Sequence, residues 1–161
     1  MEIPKHVKTL DYFRTHEYRV FVAPPYFDLD LVHEIKWNRA YIKKLKKHKE
    51  KPHLFHKERG YRKDEHYQEW VIESLPFHEK LLSEHTEKYR IITGLIPKKT
   101  YRKINKISIR YGGTPEYLII HKKSKSYFFL ATHSNDVRNY WIHLVRDRYK
   151  LCDVVVLNDE P

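Results

Sequence analysis

The densest set of groups able to do chemistry is Lys98, Lys99, Arg102, Lys103 and Lys106, with Tyr101 among them. Clustered cations beside an aromatic ring attract phosphate, whether of an inositol lipid headgroup or of a nucleic-acid backbone. The same residues also suit a solvated turn after Pro97. A second basic run, Lys43, Lys44, Lys46 and Lys47, closes a candidate helix, where positive charge complements the C-terminal dipole. His53 and His56 stand three apart with His66 further on, but no cysteine joins them and their surroundings are polar. Solvated histidines and no metal are therefore expected. The single cysteine, Cys152, borders Val154-Val155-Val156 and reads as a small buried residue rather than a nucleophile. No phosphate loop, paired catalytic carboxylates or Ser/His/Asp context is recognisable. The expectation is a protein that is not an enzyme and carries no cofactor.

Composition bounds what can position these groups. The chain has 161 residues, 40% of them apolar and 14% aromatic, so a core without disulfides or metal is feasible. Four glycines argue against glycine-rich nucleotide loops. One cysteine excludes an internal disulfide and favours a reducing compartment. No run approaches the ~20 apolar residues of a membrane span. The start, Met1-Glu2-Ile3-Pro4-Lys5, matches neither a secretory nor a mitochondrial leader. The expected location is intracellular and cytoplasmic, with any membrane contact peripheral. A formal net charge of +11 favours anionic partners without choosing among them.

Two regions are expected, a basic extension over 1–69 and a binding domain over 70–161. In the extension, residues 18–23 read as a short strand that Pro24-Pro25 ends. Asp28 is a candidate cap for a helix over 29–47 with Leu31, Val32, Ile35, Ile42 and Leu45 on one face. Residues 48–69 are polar and read as a linker. Beyond them, Trp70–Leu75 is a candidate strand stopped by Pro76, and Lys80–Ser83 and Tyr89–Ile96 supply further apolar runs. Residues 104–110 alternate in the manner of a strand, although Ile104 falls on the polar side. Gly112-Gly113 marks a turn. Tyr117–Ile120 and Tyr127–Thr132, joined by a polar turn, form a hairpin. A final helix, capped by Ser134 or Asn135, sets Val137, Tyr140, Trp141, Leu144 and Val145 on one apolar stripe. Residues 151–157 add one more candidate strand.

The string Ile107-Ser108-Ile109-Arg110, then Tyr117–Ile120, a polar turn, Tyr127–Ser134 and Asn135–Trp141 resembles the end of a pleckstrin-homology-like domain. In that superfamily the last strands lead through a small polar residue into a C-terminal helix, and a tryptophan about two turns in covers one end of the barrel. Ser134 and Trp141 have that separation. Glu79–Ser83, Lys88–Ile92 and Arg102–Ile109 resemble the preceding strands. The resemblance implies an α+β fold, a partly closed antiparallel barrel or sandwich capped by a helix, behind a basic strand-helix extension. It implies a non-catalytic adaptor or scaffold subunit. Its partners would be proteins in a larger complex, with an anionic, phosphoinositide-bearing membrane surface as a further partner.

A second resemblance lies in Gly113-Thr114-Pro115-Glu116 followed by Ala131-Thr132-His133. These look like the frame of a restriction-type nuclease of the virus-type replication-repair class. Such enzymes need an acidic residue after the proline and a Glu-x-Lys on the next strand, so that the carboxylates bind Mg²⁺ and the lysine assists the attacking water. Here Ala131 stands for the Glu and His133 for the Lys. This resemblance implies an inactive relative, and with it the alternative function: a basic nucleic-acid-binding protein, such as a ribonucleoprotein subunit.

Overall fold

The computed structural model describes residues 9–50, 65–124 and 126–158. His53 and His56, most of the polar linker and the first eight residues lie outside this range, as does the His66 side chain. The chain divides into two compact units, one of Met1–Asp30 with Arg90–Pro161 and the other of Leu31–Tyr89. The division expected at 69/70 instead falls inside a long helix.

The first unit opens with α1 (Leu10–Thr15), whose Thr9 cap accepts the Tyr12 N–H. Strand β1 (Tyr18–Val22) follows, then the short α2 (Pro24–Phe27). Pro24-Pro25 therefore begins a helix turn, where the missing N–H costs nothing. After the second unit come α5 (Lys98–Tyr111), β2 (Tyr117–His121), β3 (Phe128–Thr132), α6 (Asn135–Ile142) and β4 (Asp153–Val156). The four strands form one sheet in the order β1-β2-β3-β4. The first three are antiparallel, with Tyr18 opposite His121 and Tyr117 opposite Ala131, whereas β4 runs parallel to β3. The parallel step needs the α6 crossover, because a tight turn joins only antiparallel neighbours.

Both sheet faces are covered. Ile119, Phe129 and Ala131 share one face and cluster with Leu10 and Phe13 of α1 and with Leu157. Leu118, Ile120, Leu130 and Val154 alternate to the other face and are buried as well. This explains why β3 reads as a continuous apolar run. Helix α6 packs on β3 and β4. It continues as a π-helical turn, His143–Arg148, in which the Tyr149 N–H reaches back to the Leu144 carbonyl.

The overall class is thus α+β, as expected, but several expected strands are helical. Residues 104–110 belong to α5, whose buried residues Tyr101, Ile104, Asn105 and Ser108 follow the i, i+3, i+4, i+7 rule. The helical period returns Ile104 to the buried side, where a strand leaves it among polar residues. Trp70–Leu75, Lys80–Ser83 and Tyr89–Leu95 lie in α4 (Glu65–Leu95), and Pro76 sits exposed inside that helix rather than ending a strand. With those segments helical, the sheet is open and four-stranded.

The second unit pairs α3 (Leu31–Glu50) with α4. Leu31, Ile35, Asn38, Ile42 and Leu45 are buried on α3, spaced alternately by four and three, and the buried His48 follows three further on. Val71, Leu75 and His85 are buried on α4 in the same rhythm, with His78 and Leu82 half-buried between them. These are the seams of a coiled-coil hairpin. Ile42, Leu45, Val71 and Leu75 form its apolar cluster, and the Asn38 amide donates to His85 Nδ1 at 3.1 Å. Asp28, expected to cap α3, instead closes α2.

Candidate functional site

The strands deliver one acidic residue to the neighbouring strand's end. Pro115 is buried, and Glu116 follows it immediately before β2, its carbonyl fixed by the Ala23 N–H at 2.9 Å. Because Tyr117 pairs with Ala131, Glu116 arrives beside Thr132 and His133, where β3 hands over to α6. Ser134 caps that helix by accepting the Val137 N–H, and its own N–H donates to the Thr132 hydroxyl. The handover is therefore held by short local bonds.

Both oxygens of the Glu116 carboxylate are engaged by this corner. Oε1 accepts the His133 backbone N–H at 3.0 Å and the Thr132 hydroxyl at 3.4 Å, and Oε2 lies 2.9 Å from His133 Nδ1. Burial alone raises the Glu116 pKa. The His133 N–H, the His133 ring and the Thr132 hydroxyl outweigh it, so the group sits below the ordinary carboxylate value. The other ring nitrogen, His133 Nε2, is buried without a hydrogen-bond partner. It is closed off from any substrate proton. Ala131 is fully buried in the cluster that includes Leu10 and Phe13.

A divalent metal does not fit this corner. Ala131 has no donor atom, and His133 holds the one carboxylate by both oxygens. Among the described residues no group of three or more His, Cys, Asp or Glu side chains is placed to hold a metal ion.

The expected cations Lys98, Lys99, Arg102, Lys103 and Lys106 are brought together, all exposed, on α5. Tyr101 is not with them. It is fully buried, and its hydroxyl donates to the Tyr26 carbonyl at 2.9 Å. Asn105 beside it donates to the carbonyls of Phe27 and Leu29, so the inner face of α5 clamps the α2 segment. Lys103 and Lys106 border a cleft of about 170 Å³ with Ile107, Arg110, Tyr111 and Tyr149. Sequence reasoning missed Arg110 and Tyr149 as site residues. Arg110 becomes visible once the segment is read with helical period, seven residues beyond Lys103. Tyr149 has no such signal, because the π-helical turn and the left-handed Lys150 (φ 53°) set its position.

The basic run Lys43, Lys44, Lys46 and Lys47 lies on α3 in the other unit, where Lys46 faces Glu79 at 3.8 Å. Of the final-helix stripe, Trp141 is fully buried and Leu144 and Val145 are buried, whereas Val137 is half-buried and Tyr140 exposed. A larger cleft of about 450 Å³ borders Asp28, Ser108 and Thr114 beside Gly112-Gly113. Its hydroxyls are mutually satisfied, since Ser108 bonds Thr114 and also lies 3.4 Å from the Asp28 carboxylate. No helix among the described residues is long and apolar enough to cross a membrane. Comparison of the chain with protein-family models, with curated proteins and with solved structures finds no match.

Proposed function

We propose that this chain is a non-catalytic nucleic-acid-binding protein built on the frame of a restriction-type nuclease without its metal site. The observation that carries the reading is the meeting of Glu116 with Ala131-Thr132-His133 on adjacent strands, where that frame would assemble its carboxylates. The corner brings these positions together and lacks the chemistry. The missing carboxylate is a buried alanine, and the lysine position holds a histidine whose ring is spent on Glu116. A net charge of +11 and an exposed basic helix supply attraction for a phosphate backbone. The pleckstrin-homology-like adaptor is the reading this one displaces, because the middle strands it needs, Glu79–Ser83, Lys88–Ile92 and Arg102–Ile109, are helical.

Anisotropy titration of labelled nucleic acid, with Mg²⁺ and with chelator, tests this. Binding is expected in both conditions, weakening steeply with salt, with the strand left intact. Metal-dependent cleavage abolished by Glu116→Gln would overturn the non-catalytic part. Absence of binding to any nucleic acid at low salt would overturn the whole reading and return weight to a protein-docking adaptor.

A further inference from the structure

Helix α5 carries Lys98, Lys99, Arg102, Lys103, Lys106 and Arg110 and no carboxylate between Lys98 and Tyr111. No ion pair neutralises any of these cations among the described residues. Four of them, Lys99, Lys103, Lys106 and Arg110, fall within an arc of roughly 60° and extend for about 16 Å along the helix axis. Successive members are about 5–6 Å apart at Cβ. Such a row matches a linear polyanion, because a single headgroup needs cations that converge on one point. Lys98 and Lys99 also occupy the first helical turn, where positive charge opposes the dipole and Pro97 offers no side-chain cap. An anion bound along this face relieves that repulsion.

The far end of the row is not purely electrostatic. There the cleft between Lys103, Lys106 and Arg110 is walled by the rings of Tyr111 and Tyr149, which are 37% and 39% exposed. Tyr149 is held there by two uncommon backbone features, the π-helical turn before it and the left-handed residue after it. Duplex bases are stacked on one another and present no faces to such rings. Unpaired bases do, and stacking on tyrosine tolerates any sequence.

We propose that the Lys99–Lys103–Lys106–Arg110 face of α5 binds the backbone of single-stranded nucleic acid, with an unpaired base received between Tyr111 and Tyr149. The proposal rests on the nucleic-acid-binding reading and gives it a surface and a strand state.

The test uses the full chain and fluorescein-labelled single strands of about 12 nucleotides, as DNA and as RNA, beside the matching duplex. The single strands are expected to bind more tightly than the duplex. The slope of log affinity against log salt should be about −2 to −3, as three to four phosphate contacts require. Lys103→Ala should reduce that slope by about 0.7. Tyr149→Leu should weaken binding about 5- to 100-fold with the slope unchanged. Both positions are exposed, and urea midpoints equal to wild type check that each variant is folded. Lys103→Glu combined with Lys106→Glu and Arg110→Glu should abolish binding.

Strong single-strand binding that survives this charge reversal would overturn the α5 surface while leaving the nucleic-acid reading standing. Equal or tighter duplex binding, or no effect of Tyr149→Leu, would overturn the single-strand assignment. No oligonucleotide binding at low salt would remove the underlying reading as well. Vesicles bearing an inositol phospholipid that displace the oligonucleotide and bind through the same cations would reassign the surface to a membrane.

Discussion

The indole N–H of Trp141 donates to the carbonyl of Gly112 at 3.2 Å, joining two residues 29 apart in the chain. Gly112 ends α5 in a left-handed conformation (φ 70°), and its own N–H closes on the Ser108 carbonyl. One bond thus ties the crossover helix α6 to the end of the basic helix. Trp141→Phe keeps most of the buried ring and removes only the donor. The expected cost is about 0.5–1.5 kcal/mol, the net worth of one part-buried hydrogen bond. A lower urea midpoint at unchanged slope measures it, and an unchanged midpoint would show the bond to be dispensable.

Glu116 predicts a specific acid response. Its folded pKa lies below the unfolded value, so folding favours the ionised form. The stability it contributes is complete above the unfolded carboxylate value of about 4.3. It is lost as pH falls through the folded value. Glu17, lowered chiefly by Lys123, moves the same way, so the whole-protein curve mixes groups. The difference between wild type and Glu116→Gln isolates the corner. Wild type should be the more stable at pH 7, and the gap should close below about pH 4. A gap constant across the acid range would show that the His133 contacts do not depend on the charge.

Cys152 should be a poor nucleophile. Its residue is partly exposed, yet its thiol is enclosed. Burial first, and the neighbouring Asp153 second, push the thiol pKa well above its ordinary value. Reaction with a disulfide reagent at pH 8 should be at least about tenfold slower in native protein than in denaturant. Equal rates would place the sulfur at the surface.

The hairpin unit should depend on one polar pair. Asn38 is fully buried and its amide donates to His85, itself 5% exposed. Asn38→Ala leaves the ring nitrogen buried without that donor, at an expected cost of about 1–3 kcal/mol to the hairpin. Helicity followed by far-ultraviolet dichroism during thermal melting reads this directly. A melting curve indistinguishable from wild type would mean that water replaces the amide.

What the sequence disclosed follows from how distinctive each pattern was. Tyr18–Val22, the hairpin of β2 and β3, the cap at Ser134 and the stripe ending in Leu144-Val145 were legible, because period and turn chemistry agreed at each. Residues 104–110 misled, since Ile107 and Ile109 satisfy an alternating reading over a short window that only Ile104 breaks. Widening the window to Tyr101 favours the helix. In α4 the apolar seam residues at 71, 75 and 82 are few, and the polar seam residues His78 and His85 hide the four-three rhythm, as Asn38 does in α3. Pro76 then supplies a false boundary. The Glu116 corner was legible as a spacing of types, but its hydrogen bonds were not, because they depend on the pairing of Tyr117 with Ala131. Tyr149 was invisible for a similar reason, since no sequence period announces a π-helical turn.

The sharpest check on the fold is a fragment spanning residues 70–161, the expected binding domain. It lacks β1, which pairs along its whole length with β2 from Tyr18 opposite His121 to Val22 opposite Tyr117. It also lacks Leu10 and Phe13, which cover Ile119 and Phe129 on one sheet face. On α5 it leaves the buried Asn105 amide without the Phe27 and Leu29 carbonyls, and the Tyr101 hydroxyl without Tyr26. Each loss exposes apolar surface or strands a buried donor, and an open β2 edge invites association with other chains. The fragment should therefore show no cooperative urea transition and should aggregate at concentrations where the full chain stays in solution. A fragment that unfolds cooperatively, with dispersed amide resonances, would mean that β2, β3, β4 and α6 form a core without β1. The in-register pairing would then be an addition to the fold and not part of its foundation.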